Sequence, residues 1–346
     1  MSLTLYRKYR PKSFSEIEGQ EHIVRTLKGA LSSGRVGHAY LFCGPRGTGK
    51  TTMARLFAKA LNCNQYLTAN YEPCNKCDSC LAINDNRSLD MIEIDAASNR
   101  GIDEIRNLKE SAQVASTGSK YKVFIIDEVH MLTPPAFNAL LKTLEEPSGH
   151  VIFILATTEP NKVLETILSR VQRFDFKKIS RDQIIKKLEK IGASEKLKLD
   201  REVLTALADH AGGSLRDAES ALAKLISYAG SDITADHAIQ ILGIVPGHIH
   251  AQFLKSIIEK KPQEAIAQIN NLFESGIDLE NFTKQFINHL RASLIASVAH
   301  PLSDESQIKP EVLVGILNVF IGIRNDLKNS PVPQLPLELA VMELTK

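Results

Sequence analysis

At 346 residues with a net charge of +2, the chain is too long for one ordinary domain and too close to neutral to be a general polyanion binder. Hydrophobic residues make up 43% of it, aromatics 6%, and Trp is absent, so a globular, aliphatic, helix-rich core is expected. The charge is uneven: residues 1–178 hold 24 Lys and Arg against 19 Asp and Glu, and the remainder holds 18 against 21, which limits a nucleic-acid surface to the first part.

The basic start, Met1 to Lys12, has no apolar stretch behind it, and no apolar run reaches the length of a membrane span. Neither a signal peptide nor a membrane partner is expected, and the localisation expected is cytoplasmic. Ala39–Cys43 reads as a short apolar strand, followed by a glycine-rich loop and a helix over Lys50–Leu61. A cysteine-rich stretch then interrupts the pattern. Apolar strands are expected at Met91–Ile94, at Val123–Ile126 ending on Asp127, and at Val151–Ala156. Helices fall between them, over Ile102–Val114 and Phe137–Leu144, the second with Pro134 and Pro135 near its start and Pro147 after its end. Strands apolar on both faces and alternating with helices predict a parallel sheet covered on both sides. After Phe176 only helices are expected: Arg181–Glu189, Arg201–Ala211, Ser214–Ala229 and Thr234–Leu242, then Val245-Pro246-Gly247 as a linker. Longer helices follow, broken near Lys261-Pro262, Gly276, Pro301 and Pro331.

Gly44-Pro45-Arg46-Gly47-Thr48-Gly49-Lys50-Thr51, with Thr52 behind it, fits the spacing G-x-x-x-x-G-K-[ST]. The glycines let the backbone curl so that its N–H groups face a β-phosphate, and the helix N-terminus adds its dipole. Lys50 reaches the β- and γ-phosphates, and the Thr51 hydroxyl is suited to Mg²⁺. Its position between an apolar strand and a helix sets it apart from a chance glycine turn. Downstream, Asp127 ends a buried strand where its carboxylate can hold the Mg²⁺ shell, and Glu128 can orient the attacking water. The bland alternative is two solvated carboxylates at a strand end. With the loop present, the set Lys50, Asp127 and Glu128 points to nucleoside triphosphate hydrolysis.

Cys74-x-x-Cys77-x-x-Cys80, with Cys63 before it, offers four thiolates for tetrahedral Zn²⁺. An iron–sulfur cluster or a redox pair is the competing explanation. The absence of an open coordination position in a four-thiolate site makes the metal structural, tying an insertion (63–80) to the end of the loop helix. Cys43, at the end of a buried strand, is expected to be a core residue.

Three further segments carry a family resemblance. They are Leu5-Tyr6-Arg7-Lys8-Tyr9-Arg10-Pro11-Lys12-Ser13-Phe14 with Gly19-Gln20-Glu21-His22; Asn138 through Glu145-Glu146-Pro147; and Ala156-Thr157-Thr158-Glu159-Pro160 leading to Ile167-Leu168-Ser169-Arg170. With the four-cysteine insert, they resemble the bacterial DNA polymerase III gamma/tau subunit family, the ATPase of the sliding-clamp loader. The likeness carries specific motifs to about Gly243 and continues more loosely beyond. It implies an α/β P-loop AAA+ module at 1–178, a small helical lid at 179–243 and an all-α collar at 244–346 that holds a pentameric ring.

The resemblance also assigns roles. Arg7, Arg10 and Pro11 would line the adenine side with Ile17 nearby, unless that basic run is a solvated arm. Thr157 would sense the γ-phosphate, with Thr158 a rival. Arg216 would contact the nucleotide from the lid, the alternative being a surface arginine at a helix start. Arg170 would reach the neighbouring subunit's ATP, the alternative being a salt-bridged arginine at a sheet edge. Asn99 and Arg100, ahead of the helix at Ile102, are candidates for primer–template DNA, or else an N-cap and a surface arginine. Lys142 would couple that contact to the Asp127-Glu128 pair.

The cofactors implied are ATP, Mg²⁺ and Zn²⁺. The partners implied are other loader subunits, the clamp and primed DNA. Another AAA+ motor, of the branch-migration helicase type, would need pore loops and a winged-helix end; a non-hydrolysing scaffold subunit would have a damaged loop. No polymerase site is visible, so DNA-directed DNA polymerase activity would belong only to the holoenzyme. The Pro- and Lys-rich linker and polymerase-binding domain of the family's long form do not follow Lys346. A short form or a fragment is therefore expected, and tethering of the polymerase core is in doubt.

Overall fold

The computed structural model describes residues 4–64, 70–146, 148–299 and 308–346. Pro147 and Pro301, expected as helix breaks, lie outside these residues, as do 65–69 of the cysteine-rich stretch and the first three residues of the basic start. The chain divides into two compact units: Met1–Ile184 with Gly212–Asp217, and Ile185–Ala211 with Ala218–Lys346.

The first unit is built on a five-stranded sheet of β1 (Ala39–Cys43), β2 (Met91–Asp95), β3 (Lys122–Asp127), β4 (Val151–Thr157) and β5 (Gln172–Asp175), in the order β2-β3-β4-β1-β5. All its neighbouring pairs are parallel. The register sets Cys43 opposite Thr157 and Asp95 opposite Asp127, which gathers the C-terminal ends of these strands at one end of the sheet. Helices cover both faces, as period-two side-chain alternation requires. On one face Tyr40, Phe42, Val123, Ile125, Ile152 and Ile154 pack with Leu27 of α2 (Glu21–Ser33) and Met53 and Phe57 of α3 (Lys50–Leu61). On the other, Leu41, Phe124, Ile126, Phe153 and Leu155 meet Ile105 and Leu108 of α5 (Ile102–Gln113) and Phe137 and Leu140 of α6 (Pro134–Glu145). Between these lies α4 (Asp78–Asn84); α1 (Leu5–Lys8) precedes them and α7 (Glu165–Leu168) follows.

Three sequence expectations need correction here. Of the four expected strands, β1, β3 and β4 are buried on both faces or nearly so, but β2 alternates because it is an edge strand with one partner. The opposite edge, β5, was not expected: of Gln172-Arg173-Phe174-Asp175 only Phe174 is buried, so no apolar run announces it. Strands also do not stop at Phe176, since β6 (Lys198–Leu199) and β7 (Asp232–Ile233) form a two-residue parallel pair.

The later helices are α8 (Arg181–Glu195), α9 (Arg201–Ala211), α10 (Leu215–Ala229), α11 (Ala235–Leu242), α12 (Gly247–Ile258), α13 (Pro262–Glu274), α14 (Leu279–Ala299), α15 (Pro310–Gly322), α16 (Arg324–Asn329) and α17 (Leu335–Thr345). Val245-Pro246-Gly247 is not a loose linker. Val245 is buried in the core of α12–α17, its N–H donates to Gln285 Oε1 at 3.0 Å, and Gly247 opens α12. That core is also less aliphatic than composition suggests: Phe253, Phe286 and Phe320 meet edge to face, with ring centroids 5.0 Å apart for Phe253–Phe286 and 4.8 Å for Phe286–Phe320. Among the described residues no single helix is long and apolar enough to cross a membrane.

Candidate nucleotide site and cysteine cluster

The loop Gly44–Gly49 leaves β1 and enters α3. Gly44, Gly47 and Gly49 all have positive φ, at 146°, 73° and 98°. At Gly47 the requirement is also steric, because a Cβ there would lie 1.9 Å from Ser214 Oγ. Ser214 and Leu215, at the start of α10, pack onto the loop, and the Leu215 N–H donates to the Gly47 carbonyl at 3.1 Å. Pro45 and Arg46 are exposed and Thr51 and Thr52 half-buried, while Thr48 is buried with its hydroxyl donating to the Pro45 carbonyl at 2.8 Å. Lys50 is buried, and its ammonium donates to the carbonyls of Gly44 (2.7 Å) and Pro45 (2.9 Å). Burial pulls its pKa down, and the Glu128 and Asp127 charges push it back up.

The two halves of the site meet in one bond: Thr51 Oγ1 donates to Asp127 Oδ2 at 2.6 Å across 76 positions of sequence. Glu128 follows with φ 47° and ψ 46°, a left-handed conformation that costs a non-glycine residue about 1 kcal/mol or more. Its carboxylate accepts the Thr158 N–H (3.1 Å) and hydroxyl (2.9 Å). Thr157 is fully buried; its hydroxyl pairs with His130 Nδ1 at 2.9 Å and accepts the Glu159 N–H at 3.0 Å. The two threonines thus have different partners, Glu128 for Thr158 and His130 for Thr157. His130 lies 3.4 Å from Glu128 Oε2, and sequence reasoning left it without a role although it sits three positions after Asp127.

Among the described N-terminal residues Leu5 is buried and Tyr6, Tyr9 and Arg10 are half-buried, while Arg7 and Lys8 are exposed. The Arg216 guanidinium lies 5.0 Å from the centre of the Tyr6 ring, and the Arg7 guanidinium 5.8 Å from it. Arg10 and Pro11 are half-buried, and Ile17 packs on the core beside α3. Burial lowers the pKa of Arg10, with Arg55 of α3 adding repulsion. Gln20, fully buried and also without an assigned role, donates to the Thr48 carbonyl (3.5 Å) and the Lys177 carbonyl (2.7 Å).

Arg170 stands between α7 and the edge strand β5, in the salt bridge that the alternative reading expects. Its guanidinium donates to Glu145 Oε1 (2.8 Å) and to the Thr166 carbonyl (2.7 Å). Asn99 and Arg100 donate to the carbonyls of Asp95 and Ala97, and Gly101 rather than Asn99 occupies the N-cap of α5. Lys142 lines a separate recess of about 400 Å³ with Lys109 and Glu145.

The thiol sulfurs of Cys63, Cys74, Cys77 and Cys80 lie within 4.8 Å of one another. A tetrahedron with Zn–S of ~2.3 Å has S···S edges of ~3.8 Å, and Cys74 and Cys80 stand 3.9 Å apart. The N–H groups of Cys74, Lys76 and Cys77 point at cluster sulfurs (3.3–3.4 Å), which suits thiolates. Burial opposes ionisation of Cys77, but N–H donors from Cys80 and Asn64 outweigh it and bring its pKa to about 6. Cys43 stands apart, buried, with its thiol pushed up to about 11.

Residues 19–180 match the family model described as DNA polymerase III, delta subunit. The chain is 41% identical to DNA polymerase III subunit tau of Bacillus subtilis, over 98% of this chain and 62% of that protein. This chain belongs to the DNA polymerase III gamma/tau family. Among other gamma/tau proteins, it is 43% identical to subunit tau of Escherichia coli over 80% of this chain and 43% of that protein. It is 40% identical to subunit gamma/tau of Mycobacterium tuberculosis over 85% and 51%. The chain therefore spans about half the length of the gamma/tau proteins it matches. Among solved structures it is similar to RuvB of Thermotoga maritima, a Holliday junction branch migration motor (17% identity, 82% of this chain and 91% of that one, TM-score 0.49). It is also similar to the DNA clamp loader delta protein of Bacillus subtilis (15%, 93% and 99%, TM-score 0.41).

The expected architecture, a parallel sheet flanked by helices and followed by a helical region, is the one this gamma/tau chain has, with the short β6–β7 pair as the exception. Its donor groups suit the groups expected of them. A hydroxyl and a carboxylate in direct contact are hard oxygen ligands for Mg²⁺. A buried lysine whose ammonium donates to two loop carbonyls stands where it can be available to phosphate. Four converging sulfurs, most of them buried, suit a tetrahedral soft metal.

Proposed function

We propose that this chain is an ATP-hydrolysing subunit of a bacterial replicative clamp loader, acting within the DNA polymerase III holoenzyme. ATP binding would drive opening of the sliding clamp and its placement on primed DNA, and hydrolysis triggered by DNA would release it. The observation that carries the reading is the Thr51–Asp127 bond beside Lys50, which joins loop and strand end as an ATPase requires.

In this reading the loop N–H groups and Lys50 hold the phosphates, while Thr51 and Asp127 hold Mg²⁺. When bound, the ion neutralises charge developing on the phosphate oxygens. Glu128 accepts a hydrogen bond from the attacking water and orients it, once its carboxylate turns from Thr158. Thr157 senses the terminal phosphate. Arg216 and the Tyr6–Arg10 segment close over the base side. Arg170 acts on the neighbouring subunit's nucleotide, leaving Glu145 to do so. The four thiolates hold a structural Zn²⁺. The 179–243 helices form the lid and the 244–346 helices the collar of a pentameric ring. Asn99 and Arg100 lie on the DNA side, binding backbone without reading sequence. The expected compartment is the cytoplasm.

The test is ATP turnover by the chain together with the other loader subunits, with and without clamp and primed DNA. Stimulation by DNA and clamp supports the reading. Turnover indifferent to both, or none with the intact loop, would contradict it.

A further inference from the structure

The cysteine module does more than close on itself. From its loop, Glu72 reaches the segment that follows Arg10 and Pro11. Its carboxylate accepts the Phe14 N–H (2.7 Å), the Ser15 N–H (3.1 Å) and the Lys28 ammonium (2.7 Å). Asn75, beside the ligand Cys74, donates to the Lys12 carbonyl at 3.0 Å. Lys59 of α3 is 2% exposed and sits at the junction. Its ammonium donates to the Lys12 carbonyl (2.8 Å), Asn75 Oδ1 (2.7 Å) and Asn84 Oδ1 (2.9 Å). Asn84 ends α4, the helix that carries Cys80. Every donor of a buried ammonium is thereby spent on fastening two segments to the helix behind the phosphate loop. The fastened segment, Lys12–Ser15, lies between Arg10-Pro11 and Ile17, and so fixes where those side chains stand.

We propose that the four-cysteine module is the brace for the base side of the nucleotide site, with Lys59, Glu72 and Asn75 as positioning residues. The inference rests on the nucleotide reading above. A four-thiolate metal would fix the 72–77 loop and α4. These carry Glu72, Asn75 and Asn84, and so hold Lys12–Ser15 at a set height over α3. Metal occupancy and base affinity are then linked, although no cysteine touches the nucleotide.

The experiment compares two ligands in the full chain: Mg·ATP, which has a base, and Mg·tripolyphosphate, which has none. In Glu72→Gln the amide replaces an acceptor that takes three donors and turns an NH₂ toward them. Affinity for ATP should fall about tenfold, the equivalent of one hydrogen bond to a charged group, while affinity for tripolyphosphate stays at the wild-type value. Amide exchange at Phe14 and Ser15 should speed up before any ligand is added. Lys59→Met should show the same selectivity; should it fail to fold, Glu72→Gln carries the test alone. Unchanged ATP affinity in Glu72→Gln, or equal loss for both ligands, overturns the proposal and leaves the nucleotide reading standing. A wild-type chain that binds neither ligand overturns that reading itself.

Discussion

At the scale of single residues, the site is held by contacts that range from fully local to far apart in sequence. Lys50, Thr51 and the three loop glycines were legible because phosphate chemistry dictates their spacing. Gly47 shows how tight the loop is: a methyl group there meets Ser214 and must also adopt a φ of +73°. Gly47→Ala should remove nucleotide binding and destabilise the fold by roughly 1–3 kcal/mol, read by ATP titration and thermal melting. The bond from Thr158 to Glu128 and the pairing of His130 with Thr157 were not legible. They join groups about 30 positions apart, and no local pattern encodes them. Arg170 was picked out by its motif, but its pairing with Glu145, 25 positions away, has no local signal.

At the scale of elements, what was legible is what is buried on two sides. β1, β3 and β4 read directly because central parallel strands are continuous apolar runs. The edges were harder: β5 is charged, and β2 needed its neighbours to be seen as an edge. A buried carboxylate also went unnoticed. Asp90, just before β2, accepts the Thr117 N–H (2.8 Å) and hydroxyl (3.0 Å) and the Ser119 N–H (3.1 Å), pinning the 116–119 loop ahead of β3. Burial alone would raise its pKa, but these donors outweigh it and hold the pKa below the ordinary aspartate value. A depressed carboxylate pKa contributes stability that is full above the unfolded value of about 4 and is lost as pH falls through the folded one. Asp90→Asn should therefore cost about 1–3 kcal/mol at pH 7, and its deficit against the parent should shrink as pH drops below about 4. Urea denaturation at both pH values checks this; a deficit constant with pH would contradict it.

At the scale of the whole molecule, the proposed function makes this chain one part of a larger machine. The uneven charge, basic in residues 1–178, suits a DNA-facing first part. Binding to primed DNA should weaken steeply with salt, and Arg100→Ala should lower the magnitude of the log–log salt slope by about one. An unchanged slope removes Arg100 from the interface. The change from a strand-and-helix pattern to a mainly helical one was legible from the switch in periodicity. The burial of Val245 was not, since Val-Pro-Gly reads as a joint until its packing against the α12–α17 core is seen.

The central claim is that each active site is shared, with Lys50, Thr51, Asp127 and Glu128 from one subunit and Arg170 from the next. It is tested most directly by mixing two inactive variants in the assembled loader. Glu128→Gln lacks the group that orients water, Arg170→Ala lacks the arginine, and each alone should bind ATP with its DNA-stimulated hydrolysis reduced by about 10²-fold or more. Mixed assemblies should regain turnover, because an Arg170→Ala subunit can take its arginine from a Glu128→Gln neighbour. Normal stimulated turnover by Arg170→Ala alone, or mixtures as inactive as their parents, would contradict the account.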